Sequence, residues 1–159
     1  MGILALFFYL QRNIKCLVVW LPEDCIFCKI AKGEIPSTKL YEDAAVLSFL
    51  DIMPAAKGHA LVIPKKHYHT LLDIPHEELR EIMAVVQKVA AAIMATCGAT
   101  GFNVIQSNQK VAGQVIAHLH FHIIPRKEGD RLHFEWEQGK AEIEELKKYA
   151  ELVKSNLKK

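Results

Sequence analysis

Alternation and helical spacing divide the chain into a few well-marked segments. Ala44 to Ile52, AAVLSFLDI, is apolar and suited to β structure, and it ends at Pro54. His59 to Pro64, HALVIP, is a second short apolar run closed by proline. The two are expected as strands of one sheet, joined by a turn that contains Pro54 and Gly58. Leu79, Ile82, Met83, Val86, Val89, Ala90 and Ile93 then recur at helical spacing, which predicts a helix over Glu77 to Cys97. Pro75 suits its first turn and Gly98 its C-terminal cap. Strands are predicted at Gly101–Ser107 and Val115–Pro125, with NQKVAGQ as the loop between them. Lys140–Leu157 reads as a surface helix with an apolar stripe through Ile143, Leu146, Tyr149 and Val153. Strands, a helix, a hairpin and a second helix indicate an α+β fold on an antiparallel sheet rather than a βαβ design.

The same alternation isolates the chemistry. Within HLHFHIIPR, three of the eight histidines fall at every second position. Side chains alternate faces along a strand, so His118, His120 and His122 share one face and Leu119, Phe121 and Ile123 the other. The apolar set accounts for packing on its side. A solvated face is more cheaply built from Lys, Thr or Glu than from three imidazoles, which repel one another when protonated. Two functional readings remain: a row of neutral metal ligands, or a nucleophile with a general-acid neighbour. The preceding Ala112–Gly113–Gln114 favours the second. Two small residues let backbone N–H groups approach an anion, and an amide side chain follows.

Composition limits the rest. The chain has 159 residues, 51% of them hydrophobic, which suits one domain with a full core. A formal charge of +2 gives no electrostatic case for nucleic acid or a membrane surface. Four cysteines, Cys16, Cys25, Cys28 and Cys97, form no disulfide framework. Cys25 and Cys28 form a CxxC, which points to metal or redox chemistry in a reducing compartment, and the protein is expected in the cytoplasm. The apolar runs ILALFFYL and CLVVWL near the N-terminus are each far shorter than the ~20 residues a spanning helix needs. They fit an added packed element, a partner contact, or translation from a start codon upstream of the true one.

At this point the chain resembles a known family. HLHFHII has the His-φ-His-φ-His-φ-φ pattern, φ being apolar, of the histidine triad (HIT) family, and AGQVIAHLHFHIIPR is similar to its phosphate loop and triad together. CIFCKIAKGEIPS at 25–37, FLDI at 49–52 and KGHALVIPKKH at 57–67 extend the resemblance in order, from Cys25 to about Arg126. PRKEGD is closest to the prokaryotic Hint-like branch.

The resemblance implies a HIT-like sheet with one central helix and a C-terminal helix, pairing as a homodimer. The helix over 77–97 and the strand from 101 are the candidate contacts. It implies an apolar extension at 1–22, a HIT domain at 23–128 and a tail with a helix at 129–159. The implied activity is a nucleotide hydrolase or transferase at the α-phosphate of a purine nucleotide, an AMP phosphoramidate or related adenosine phosphate. His120 takes the place of the nucleophile, His122 of the histidine that contacts phosphate and leaving group, and His118 and His59 of the supporting histidines. Asp51 matches the ribose ligand, while Phe27, Ile35, Phe49 and Ile52 match the walls of the base pocket. Gly113 and Gln114 match the phosphate side, and Asn108 stands in for its asparagine after a shift of one position. Zinc is implied at Cys25, Cys28, His67 and His118, with His69 near enough to compete.

This sequence also departs from the family pattern N-x-G-x-x-[AG]-G-Q. Ser107 and Gln109 stand at its asparagine and glycine, and Val115 stands where the eukaryotic branch has serine. The rival readings are a Fhit-like dinucleoside polyphosphate hydrolase, a nucleotide-binding or docking module with little catalysis, and a zinc protein whose histidines are all ligands.

Overall fold

The computed structural model describes residues 24–133 and 139–157. The expected extension at 1–22 lies outside them. The described chain forms a short helix α1 (Ile26–Lys32), strands β1 (Lys39–Glu42), β2 (Val46–Leu50) and β3 (Ala60–Pro64), and a long helix α2 (His76–Cys97). Strands β4 (Gly101–Ile105) and β5 (Phe121–Arg126) and a C-terminal helix α3 (Ile143–Leu157) follow. The five strands make one sheet in the order β1-β2-β3-β5-β4, every pair antiparallel. The α+β architecture with a central and a C-terminal helix is as expected.

Both faces of the sheet are covered at its centre, which is why β2 and β3 read as continuous apolar runs rather than as alternation. On one face Val46, Ala60, Val62, Leu119, Phe121 and Ile123 pack against Ile82, Val86, Val89 and Ile93 of α2. On the other, Leu47, Phe49, Leu61 and Ile63 pack against Phe27, Cys28 and Ile30 of α1. Leu119, Ile123, Leu47 and Ile63 are each fully buried. Burial of a side chain of this size contributes about 1.5–3 kcal/mol. The helix boundaries follow local chemistry. Pro75 is the residue before α2, and Gly98 closes it in the left-handed conformation at φ 59°.

Three elements differ from the sequence reading. The strand expected over Val115–Pro125 begins only at Phe121, because the preceding residues bond elsewhere: Leu119 N–H donates to the Tyr68 carbonyl at 2.6 Å. β1 was not anticipated; its residues KLYE are mostly exposed at the sheet edge and show no apolar alternation. α1 was not anticipated either, being seven residues long with no side-chain N-cap bond. The apolar stripe of α3 is present, but Ile143, Leu146, Tyr149 and Val153 are all exposed. Among the described residues, no helix is long and apolar enough to cross a membrane.

Candidate active site

β5 enters the sheet between β3 and β4, so His122 stands opposite Leu61 on one side and Ile105 on the other. The alternation predicted from sequence persists through the irregular residues before the strand. Leu119 and Phe121 join the α2 side, while His118 and His120 turn to the α1 side, where Phe27 packs edge-on against both rings at 5.9 and 5.3 Å between centroids. His118 and His120 are buried. The His120 and His122 rings lie 5.0 Å apart.

Hydrogen bonds to the backbone fix which nitrogen of each imidazole carries hydrogen. His120 Nδ1 donates to the His118 carbonyl oxygen at 2.6 Å. Burial lowers the pKa of His120, so the ring is neutral near pH 7 and its Nε2 holds a free lone pair. At His59, Nδ1 accepts from the Ala55 N–H at 3.1 Å. A neutral His59 therefore carries its hydrogen on Nε2, which donates to His122 Nδ1 at 2.9 Å. His122 is then left with Nε2–H as a donor. Burial and the neighbouring His120 and His59 rings push the His122 pKa down to about 4. The Asp51 carboxylate lies 3.7 Å from His59 Nε2 and opposes the lowering at both His59 and His122.

A second cluster sits behind the first. The ligand atoms of Cys25, Cys28, His67 and His118 all lie within 4.8 Å of one another. Cys25 Sγ is 3.4 Å and Cys28 Sγ 3.5 Å from His118 Nδ1, Cys28 Sγ is 3.3 Å from His67 Nδ1, and the two Nδ1 atoms are 3.2 Å apart. Tetrahedral zinc with ordinary Zn–S and Zn–N bonds sets its ligand atoms roughly 3.3–3.8 Å apart, so the spacing fits. His118 Nε2 donates to the Pro64 carbonyl at 2.9 Å, which leaves Nδ1 unprotonated and facing the sulfurs. In the absence of metal, burial and the Cys25 thiol push the Cys28 thiol up to about 11. Asp51, His59 and His122 also meet, but the Ala55 N–H at His59 Nδ1 keeps a proton on the nitrogen that a metal would need.

The HIT domain family matches residues 32–129. The chain belongs to the HIT family. An adenosine 5'-monophosphoramidase of Candida albicans is 44% identical over 86% of this chain and 93% of its own. Among solved structures, a Streptococcus mutans protein superposes with a TM-score of 0.81 at 40% identity, over 84% of this chain and 85% of that one. A zinc-bound histidine triad family protein of Mycobacterium smegmatis gives a TM-score of 0.68 at 38% identity, over 75% and 86%.

Within this HIT fold the structure brings most of the expected site residues together. His59, His118, His120, His122 and Asp51 form one connected group, and His67 rather than His69 faces the two cysteines. Phe27 and Phe49 are buried edge-to-face at 5.8 Å beside it, and Ile35 packs on the same cluster. Ile52 is instead 92% exposed on the turn after Asp51. Asp51 also caps that turn, accepting from the Met53 N–H at 2.8 Å.

The phosphate-side residues are braced rather than open. Gln114 is buried, its Oε1 accepting from the Gln109 N–H and its Nε2 donating to the His69 carbonyl, each at 2.7 Å. Asn108 Oδ1 accepts from the Leu71 N–H at 2.8 Å, and Asn108 Nδ2 donates to Gln106 at 2.6 Å. Gly113 supplies a left-handed turn at φ 87°. Sequence reasoning missed the Ala55 N–H and the carbonyls of Pro64 and His118, since a backbone group that orients an imidazole leaves no residue-type signal.

Proposed function

We propose that the protein hydrolyses an adenosine 5'-phosphoramidate or a related purine nucleotide at its α-phosphate, through a nucleotidyl intermediate on His120. The single observation that carries this reading is the His120 Nδ1 bond to the His118 carbonyl, which leaves a neutral imidazole with its nucleophilic nitrogen free. In the first step the His120 Nε2 lone pair forms a bond to phosphorus as the bond to the leaving amine breaks, the amine departing as ammonia with a proton from solvent. Water then attacks phosphorus and releases a proton to solvent, the phosphorus–nitrogen bond breaks, and His120 recovers its lone pair. The His122 Nε2–H, oriented by His59, donates to the phosphoryl group or departing atom where negative charge develops. Asp51 binds the ribose hydroxyls, and Phe27, Phe49, Ile35 and Ile52 enclose the base. The relative named as an adenosine 5'-monophosphoramidase supports this substrate class.

Gln114, Asn108 and Gly113 act by holding the loop that approaches the phosphate. Cys25, Cys28, His67 and His118 hold zinc, as the spacing of their ligand atoms and the zinc-bound relative support. Zinc there ties α1 to the segment that carries His120, a structural role. With both ring nitrogens engaged, His118 serves the reaction through its carbonyl. The exposed apolar Phe102 and Val104 of edge strand β4, with Met83 of α2, support pairing as a homodimer. A cysteine pair that is unbridged and turned to two imidazoles supports a reducing, cytoplasmic setting. The apolar segment 1–22 is taken as an addition to a HIT unit over 23–128, with 129–159 as its tail.

The test is AMP release from adenosine 5'-phosphoramidate, followed by chromatography. The wild type turns over and His120→Ala does not. Equal release by both overturns the assignment. Cleavage of diadenosine polyphosphates in preference to the phosphoramidate selects the Fhit-like reading instead.

A further inference from the structure

The α2 side of the sheet, opposite the histidines, holds a recess of about 580 Å³ between α2, β1 and the end of β2. Its interior is largely apolar, with Leu50 of β2 and Ala92 of α2 in its walls. Lys57, Lys88 and Lys127 also line it, and no carboxylate does. The Lys88 ammonium lies 4.7 Å from the centre of the Tyr41 ring, at one wall. None of the three lysines has a carboxylate partner among the described residues. An apolar recess whose only formal charges are three cations is complementary to a ligand with an apolar body and an anionic head.

The chain's own apolar segments offer no net negative charge to it. Residues 1–22 contain Arg12 and Lys15 and no acidic residue. α3 balances Glu144, Glu145 and Glu151 against Lys147, Lys148 and Lys154, and Lys147 and Lys154 are already paired with Glu144 and Glu151 at 2.7 and 2.8 Å. Docking 1–22 would add cations to a rim that already has three, and docking α3 would bring no net negative charge to it.

We propose that this recess is a second binding site, for a long-chain carboxylate, with the alkyl chain in the recess and the carboxylate among Lys57, Lys88 and Lys127. The site is coupled to the histidine face through the chain itself. Leu50 and Gly58 line the recess and are the immediate neighbours of Asp51 and His59. Gly58 sits at φ +93°, and a Cβ there would come 3.4 Å from Ile93 Cγ2, so this stretch is fitted closely to α2. A ligand wedged against it acts on the backbone that positions Asp51 and His59.

The probe is dodecanoate, titrated below its micelle concentration by calorimetry against the full chain. One equivalent is expected to bind. Shortening the probe by two methylenes to decanoate is expected to weaken binding about fifteenfold, from roughly fourfold per methylene. Ala92→Trp, which fills the recess, and the triple change Lys57→Glu, Lys88→Glu, Lys127→Glu are each expected to weaken dodecanoate at least about tenfold. AMP affinity in the free variants reports that they are folded. Saturating dodecanoate is expected to shift AMP affinity in the wild type and not in Ala92→Trp. Absence of stoichiometric binding below the micelle concentration overturns the site, as does equal binding to Ala92→Trp. Equal binding of the neutral octyl glucoside to the wild type overturns the carboxylate assignment. AMP affinity unchanged by bound dodecanoate overturns the coupling.

Discussion

His120 donates from Nδ1 to the carbonyl oxygen of His118 at 2.6 Å, so a residue two positions earlier decides which nitrogen of His120 is free to react. The bond orients the ring and fixes its tautomer, and in the proposed reaction it would stabilise the positive charge that forms once Nε2 is phosphorylated. Removing the ring by His120→Gly is expected to lower turnover of adenosine 5'-phosphoramidate at least about 10³-fold. Added imidazole is expected to restore part of it, because the cavity remains while the tether is lost. A His120→Gly variant with near-normal turnover contradicts this role.

The His59–His122 contact at 2.9 Å predicts a different kinetic signature. His122→Ala removes a donor that strengthens as charge develops, so kcat is expected to fall about 10²–10³-fold with little change in KM. His59→Ala leaves the ring of His122 but not its orientation, and is expected to cost less. Steady-state kinetics on both variants decide the point; a rise in KM with unchanged kcat places His122 in ground-state binding alone.

Metal content gives the third prediction. Wild-type protein is expected to carry about one zinc per chain by elemental analysis, and Cys28→Ser much less. Chelation is expected to lower Tm and leave residual turnover, because under the proposed reading a metal there would brace α1 against the segment carrying His120 and stand outside the phosphoryl chemistry. A zinc-free wild type as stable as the loaded protein contradicts the structural role. More than one tightly held zinc per chain supports the reading in which the triad histidines are also ligands.

Acid is expected to destabilise the protein through His122. Its folded pKa is held down to about 4, whereas an imidazole in the unfolded chain titrates near 6.5. Between those values the unfolded state binds a proton that the folded state does not. Stability is therefore present above pH ~6.5 and is lost as pH falls toward about 4. The urea midpoint is expected to drop between pH 7.5 and pH 5, and to drop less in His122→Gln. An equal drop in both proteins removes His122 as a source.

Gln109 holds φ 70° and ψ 159°, a backbone region populated almost only by glycine. Its carbonyl accepts from the N–H groups of Ala112 and Gln114, both at 3.1 Å, and its N–H is tied to the Gln114 side chain. The loop thus imposes the conformation on a residue that resists it. Gln109→Gly is expected to raise stability by up to about 1 kcal/mol, the relief of strain exceeding glycine's extra chain entropy. Thermal unfolding measures this; a clear loss of stability shows that the Gln109 side chain contributes more than its backbone costs.

Much of the fold was legible in the sequence because burial wrote it there. The α2 positions from Ile82 to Ile93 and the apolar runs of β2 and β3 face covered surfaces, and their spacing followed. β1 and α1 gave no such signal: one is a polar edge strand, the other too short to show helical periodicity. The alternation of His118, His120 and His122 anticipated that these residues group together, even though only His122 lies within regular strand. What sequence could not supply was the direction of each ring. Ala55 N–H, Pro64 C=O and His118 C=O set the tautomers, and those groups come from backbone that any residue offers. The same limit hid the bracing of Gln114 and Asn108, whose side chains turn to the backbone of His69 and Leu71.

The central claim, covalent catalysis at His120, is tested most directly by an intact-mass time course during turnover of adenosine 5'-phosphoramidate. The wild type is predicted to show a transient addition of one AMP per chain that decays as AMP is released, with the adduct mapped to His120 and absent from His120→Ala. AMP release with no adduct at any time under rapid acid-free quenching, or an adduct that persists in His120→Ala, would contradict it.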